Sequence, residues 1–221
     1  PLVASGYTAE CPTLKDLYAD LDRCKNTRAR QLALMLDIFA NGSLQVFAHK
    51  TNVDMNNRLI CFNIQSLGTQ LRSIAMTSLL EFINMRVMAN CYMDSSAATW
   101  VYFDEIHVLL KDSMSADFLN STWKRFRKYN AYATGITQDI QDYLANPIAN
   151  ALLSNSEFVI MLRQTKSLDA LERLYGLSNP QLEFLRNASE GHGIIKMGNS
   201  MIPFSNLEPK DTAVYKLITT K

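Results

Sequence analysis

The feature that most constrains the fold is an alternation of short apolar runs with longer helical segments. The runs are rich in strand formers and lie at 59–64, 100–103, 131–137 and 158–162. Runs of this length are too short for buried helices and predict strands. Because each run is apolar at nearly every position, we expect the strands to be covered on both faces. The sequence therefore predicts an α/β fold with a mostly parallel sheet flanked by helices.

The segments around these runs predict the remaining elements. Helical periodicity covers 13–40, Asn41-Gly42 is a stop signal, and 44–49 predicts a short strand. Ser178 and Gln181 have the spacing of a capping box. Further helices are predicted at 70–90, 115–128, 168–175 and 180–187, and a hairpin at 194–197 with 201–204. We assign residues 1–42 to a small helical accessory region and 43–221 to the α/β domain.

Composition excludes some classes of protein. A formal charge of +1 provides no overall field that would attract nucleic acid or an anionic membrane, so such a contact would need a local patch. The cysteines are widely spaced, which argues against a zinc site or a disulfide scaffold. No apolar stretch approaches the ~20 residues of a membrane-spanning helix.

Two adjacent carboxylates follow the apolar run at 100–103 directly. Asp104 and Glu105 thus have the form of a Walker B motif. At the carboxyl end of a parallel strand, Asp104 would hold Mg²⁺ through a water molecule, and Glu105 would polarise the attacking water. His107 is expected to pack behind the acids rather than to act as a base. The alternative is an ordinary acidic loop after a buried strand.

Polar residues near the next strand add to this pattern. Gln138 follows the run at 131–137, where its amide could sense a γ-phosphate or cap the next helix. The segment 123–130 concentrates cations that include Arg125 and Arg127. Cations are favoured at a helix C-terminus by the helix dipole, and an arginine there could also reach the ATP of a neighbouring subunit.

Taken together, these motifs resemble the ATPases of bacterial conjugation and type IV secretion, RecA-like P-loop motors of the FtsK/HerA group. The resemblance covers nearly the whole chain. Its marks are TNVD at 51–54, NRL at 57–59, YFDEIH at 102–107, WKRFRK at 123–128, GITQ at 135–138 and PKDT at 209–212. The resemblance implies a RecA-like core that hydrolyses ATP with Mg²⁺, as a hexamer or lower oligomer. It also implies partners in an inner-membrane apparatus, at the cytoplasmic face of the membrane.

The resemblance also implies roles for individual residues. Asp104 matches the magnesium-binding acid, Glu105 the catalytic acid and Gln138 the phosphate sensor. The implied arginine finger is Arg127 or Arg125, and a further nucleotide-facing motif is implied at Arg163 and Gln164.

One element of the family pattern is missing. The sequence contains no G-x-x-x-x-G-K-[ST] loop to cradle the phosphates. The chain begins at Pro1, and we expect this loop to lie upstream in a longer protein. The chain is then the C-terminal part of an ATPase and is expected to be inactive alone.

Two alternatives stay open at this point. A DNA-translocating coupling protein of the same superfamily would share the acidic pair. A different class is a helix-turn-helix DNA-binding module formed by 168–187, although Arg186 is the only cation of its second helix.

Overall fold

The computed structural model describes residues 12–50, 52, 54, 57–64, 69–138 and 140–219, apart from the side chains of 69, 70, 73 and 218. The predictions that concern residues 1–11, Thr51, Val53 and Asp139 lie outside these residues. The chain divides into two compact units, Pro1–Ser78 and Leu79–Lys221. The division of the chain at residue 42 stays a prediction.

The first unit contains a helical hairpin. Helix α1 spans Leu14–Arg23 and helix α2 spans Thr27–Ala40. Local capping explains both starts, because the backbone N–H of Thr13 donates to Asp16 Oδ2 at 2.7 Å and the Asn26 side chain accepts from the N–H of Arg28. The helical prediction for 13–40 is confirmed.

The prediction of a strand at 44–49 is wrong. This segment contains a 3₁₀ turn at Gln45–Phe47. After Gly42 the chain folds back on α2, and the N–H of Leu44 donates to the carbonyl of Ile38 at 3.1 Å. These local bonds satisfy backbone groups that a strand would need for its ladder.

The apolar run at 59–64 also forms no strand within the described residues. Leu59 is 90% exposed. A strand requires a ladder of backbone hydrogen bonds with a second strand. Helix α3, Thr69–Met93, follows it and confirms the helix predicted at 70–90.

The second unit contains a parallel strand pair. Strand β1, Thr99–Phe103, pairs with strand β2, Ala131–Gly135, in a register that sets Thr99 opposite Ala131 and Phe103 opposite Gly135. Between them lie helix α4, Ile106–Leu109, helix α5, Ser113–Arg125, and a 3₁₀ turn, Phe126–Tyr129. One face of the pair packs on α3 and this turn through Val87, Phe126 and Ala131. A crossover helix between parallel strands is the predicted α/β pattern.

A three-stranded antiparallel sheet follows. Its strand order is β3-β4-β5, with β3 at Phe158–Leu162, β4 at His192–Met197 and β5 at Ser200–Ser205. The predicted β4–β5 hairpin is confirmed. Strand β3 was expected in the mostly parallel sheet, but it pairs antiparallel with β4, so among the described strands only β1 and β2 are parallel. The α/β class, with parallel strands flanked by helices, is confirmed.

Five further helices lie between and after these strands along the described part of the chain. They are α6 (Ile140–Leu144), α7 (Pro147–Ser154), α8 (Leu168–Tyr175), α9 (Asn179–Asn187) and α10 (Ala213–Ile218). The capping box of Ser178 and Gln181 at the start of α9 is confirmed. Leu171 on α8 and Leu185 on α9 pack against Ile194 of β4 in a buried cluster. The apolar faces of these two helices therefore cover one face of the antiparallel sheet.

We expect Leu185→Ala to destabilise the second unit by about 2–5 kcal/mol, because Leu185 is fully buried and truncation leaves a cavity. The measurement is urea unfolding followed by circular dichroism. Leu217→Ala is the matched control, since Leu217 is 85% exposed and the same change there should cost less than about 0.5 kcal/mol. Equal losses for the two variants would contradict the packing described for α9.

Candidate active site

The acidic turn after β1 is joined to the end of β2 by backbone hydrogen bonds. The N–H of Ile136 donates to the carbonyl of Phe103, and the N–H of Ile106 donates to the carbonyl of Ile136, each at 2.9 Å. The ladder therefore continues past both strands. Glu105 between these bonds has φ +50° in the left-handed region, which is uncommon for a residue other than glycine. Such backbone conformations concentrate at functional sites.

Gly135 leaves room for the side chain of Ile106, which follows the acidic turn. A Cβ at this position would lie 2.8 Å from Cδ1 of Ile106, and Ile106 is itself buried. A side chain at 135 would require the Ile106 side chain to shift. Packing against Ile106 therefore explains why the first residue of the GITQ motif is a glycine.

The Glu105 carboxylate contacts two residues of the neighbouring elements. The Gln138 amide Nε2 donates to Oε1. His107 Nδ1 lies 3.2 Å from Oε2, within ion-pair distance. That contact does not have the geometry of a hydrogen bond. Oε2 is buried and has no hydrogen-bond partner among the described residues. Asp104 is exposed at the start of the turn, and its Oδ1 accepts from the N–H of Glu105 at 3.0 Å.

A cleft of about 820 Å³ opens beside this carboxylate. Loops that follow β1, β2 and β3 line it. The lining residues are Glu105, His107, Val108, Gln138, Ile140, Gln141, Gln164, Lys166 and Ser167. Ser167 has φ +63°, a second left-handed residue at the same cleft. The cleft thus combines a carboxylate and three amides with a lysine, and its volume lies in the range of small-molecule sites.

One charged pair lies close to this cleft. Lys111 Nζ donates to Asp142 Oδ2 at 2.8 Å, and this hydrogen bond and the lysine charge lower the pKa of the Asp142 carboxyl.

The pKa of one tyrosine is also shifted. Burial raises the pKa of Tyr175 to about 12. Asp142 is therefore ionised and Tyr175 neutral at physiological pH.

The predicted site residues fall into two groups. Glu105, Gln138 and Gln164 line the cleft, whereas Asp104 and Arg163 are exposed and are absent from the described lining. The predicted arginine fingers lie elsewhere: Arg125 borders a separate hollow of about 260 Å³, and its Nη2 donates to the Tyr129 hydroxyl at 3.5 Å. Arg127 is exposed on the 3₁₀ turn Phe126–Tyr129.

Sequence reasoning missed some cleft residues. Lys166 and Ser167 follow β3 and were assigned no role, although a polar segment directly after a strand was the signal available. Thr137 was quoted within the GITQ motif without a role, and its Oγ1 lies 3.0 Å from Nδ1 of His107. This contact agrees with the prediction that His107 packs behind the acidic pair.

The fold and the cleft together define an α/β domain of the nucleotide-binding type, with acidic and amide side chains at the carboxyl ends of parallel strands. Residues 31–192 match the TraG P-loop domain, and the chain belongs to this family. The structure of VirB4 of Thermoanaerobacter pseudethanolicus is similar, with a TM-score of 0.69 and 26% sequence identity. That similarity covers 90% of this chain and 56% of the VirB4 chain.

These findings confirm the resemblance to conjugative-transfer and type IV secretion ATPases and the RecA-like fold. No curated protein sequence gives a significant match. The chain spans little more than half of the VirB4 structure. Within the described residues, no helix is long and apolar enough to cross a membrane, and no group of three or more His, Cys, Asp or Glu is placed to hold a metal ion.

Proposed function

We propose that this chain provides the water-activating half of an ATP-hydrolysing site in a conjugative-transfer or type IV secretion ATPase. The observation that carries the proposal is the Glu105 carboxylate, which lies at the cleft and accepts a hydrogen bond from the Gln138 amide. A carboxylate held at the carboxyl edge of parallel strands is suited to orient a water molecule for attack on a phosphoryl group.

The donor set of the acidic turn fits magnesium. Mg²⁺ takes one or two carboxylates and completes its shell with water and substrate phosphates, so an exposed carboxylate suffices. Asp104 is exposed and adjoins the cleft through Glu105. Asp104 would hold Mg²⁺, and when bound the ion neutralises charge that develops on the phosphates.

The other cleft residues have complementary tasks. Glu105 orients the attacking water and accepts its proton. Gln138 occupies Oε1 of that carboxylate, so turning its amide toward a γ-phosphate would free Oε1 for water. Gln164 and Lys166 border the cleft after β3, where an amide and a cation suit phosphate or ribose oxygens. Arg163 next to them is proposed to face nucleotide only after a rearrangement of this loop.

The surrounding assembly is part of the same proposal. We expect the protein to work as a hexamer or lower oligomer at the cytoplasmic face of the inner membrane, with components of a secretion or conjugation apparatus as partners. A DNA-translocating role remains the alternative within the superfamily. The helix-turn-helix alternative loses support, because the apolar faces of α8 and α9 pack on the antiparallel sheet and Arg186 is paired with Glu183.

The test is steady-state phosphate release from Mg²⁺-ATP. We expect turnover from a longer protein that joins these residues to a phosphate-binding loop, and none above background from the 221-residue chain alone. Omission of Mg²⁺ should abolish turnover. A longer protein with an intact loop that binds ATP and never hydrolyses it would overturn the proposal.

A further inference from the structure

The imidazole of His107 lies between oxygen atoms from two different elements. Its Nδ1 is 3.0 Å from Oγ1 of Thr137 and 3.2 Å from Oε2 of Glu105. The His107 side chain is only 13% exposed, and Oε2 is buried without a hydrogen-bond partner in the described part of the chain. One ring nitrogen thus faces two oxygens in a place with little water.

Whether Nδ1 of His107 carries a hydrogen decides what this contact can do. Nδ1 carries either one hydrogen or one lone pair. A lone pair facing the Oε2 of an ionised Glu105 would bring two acceptors together, so the network favours a hydrogen on Nδ1. That hydrogen points to Thr137, because the contact with Oε2 lacks hydrogen-bond geometry. A small rotation of the ring would direct the same hydrogen to Glu105.

We propose that His107 is a positioning residue for Glu105, and that its Nδ1–H switches between Thr137 Oγ1 and Glu105 Oε2. Thr137 directly precedes Gln138, so a movement of this loop that withdraws the Thr137 hydroxyl releases the hydrogen to the carboxylate. The carboxylate is then held at Oε2 while Oε1 is free to orient water. This inference rests on the proposed ATPase function and assigns a regulation to its site.

The first test compares three replacements of His107 in the ATP-hydrolysing protein. Asparagine can place an amide N–H near the position of Nδ1, glutamine can place one near that of Nε2, and alanine provides neither. We expect His107→Asn to keep kcat within about threefold, since a charged hydrogen bond is preserved. His107→Gln and His107→Ala should lower kcat by about 10- to 100-fold with KM for ATP unchanged.

A purely structural role would give a different order. Glutamine is closest to histidine in length, so packing alone would make His107→Gln the best-tolerated variant, and that order would overturn the proposal. Thermal unfolding of each variant reports folding. If His107→Ala does not fold, the asparagine and glutamine variants decide.

The second test addresses the switch. Thr137→Val keeps the shape of the side chain and removes the hydroxyl, which leaves Glu105 Oε2 as the remaining acceptor for Nδ1–H. We expect a higher kcat in Thr137→Val, because the acceptor that competes with Glu105 is removed, and a wild-type kcat in the Thr137→Ser control, which keeps the hydroxyl. An unchanged kcat in Thr137→Val would refute the switch. A loss as large as that of His107→Ala would show that Thr137 and His107 form one rigid support, and it would refute the switch.

Glu105→Gln separates failure of this inference from failure of the proposed function. If the wild-type protein and Glu105→Gln hydrolyse ATP equally, the proposed function fails and the inference fails with it. If the wild-type protein is active, Glu105→Gln is inactive and His107→Ala has a normal kcat, only the inference fails.

Discussion

Glu105→Gln is expected to reduce ATP turnover by about 10²- to 10⁴-fold, the range typical of a lost general base. Glutamine retains an oxygen that can accept from the Gln138 amide, so the cleft should keep its shape. The variant loses the negative charge and the basicity needed to take a proton from water. ATP should still bind, because the change removes an interaction needed in the transition state rather than in the ground state.

Phosphate release and binding of a fluorescent ATP analogue measure the two effects separately. Glu157→Gln is the matched control, since Glu157 is exposed directly before β3, whereas the cleft lies after that strand. The control should hydrolyse ATP at the wild-type rate. Normal turnover by Glu105→Gln would remove Glu105 from the chemistry.

Arg127→Ala is expected to lower turnover by roughly 10³- to 10⁵-fold in the assembled protein, the effect typical of a lost arginine finger. Arg127 is exposed on its 3₁₀ turn and does not occur in the described lining of the cleft in its own chain. Any contact with ATP at this cleft would therefore require a neighbouring subunit. Arg173→Ala, another exposed arginine, should have no effect on turnover.

Mixed oligomers provide a sharper test of this arrangement. An Arg127→Ala subunit retains Glu105, and a Glu105→Gln subunit retains Arg127. If the finger acts between subunits, random mixing at equal amounts should restore about a quarter of the interfaces, because half of the subunits carry each functional residue. No recovery would place the arginine outside a shared site. Loss of activity in Arg125→Ala with normal activity in Arg127→Ala would assign the finger to Arg125.

The site was only partly predictable from sequence. The acidic pair was visible because a strand followed directly by carboxylates is a local pattern. Gln138 was predicted as a phosphate sensor, without a contact to Glu105. The structure joins the two side chains by a hydrogen bond, although they lie 33 positions apart in the sequence. This contact forms because of the register of β1 with β2 and because Gly135 leaves room for Ile106 beside the turn. Lys166 joined the cleft only through the position of the loop after β3.

The sequence by itself determined several of the helices and the start of α9. Periodicity and capping are local, so α1, α2 and α3 and the capping box at Ser178 followed from neighbouring residues. Strand pairing was decided by tertiary structure: β3 joined the hairpin in antiparallel pairing, 44–49 formed a turn, and 59–64 formed no described strand. The physical reason is that a helix satisfies its backbone groups within one segment, whereas a strand depends on a partner that its own residues do not specify.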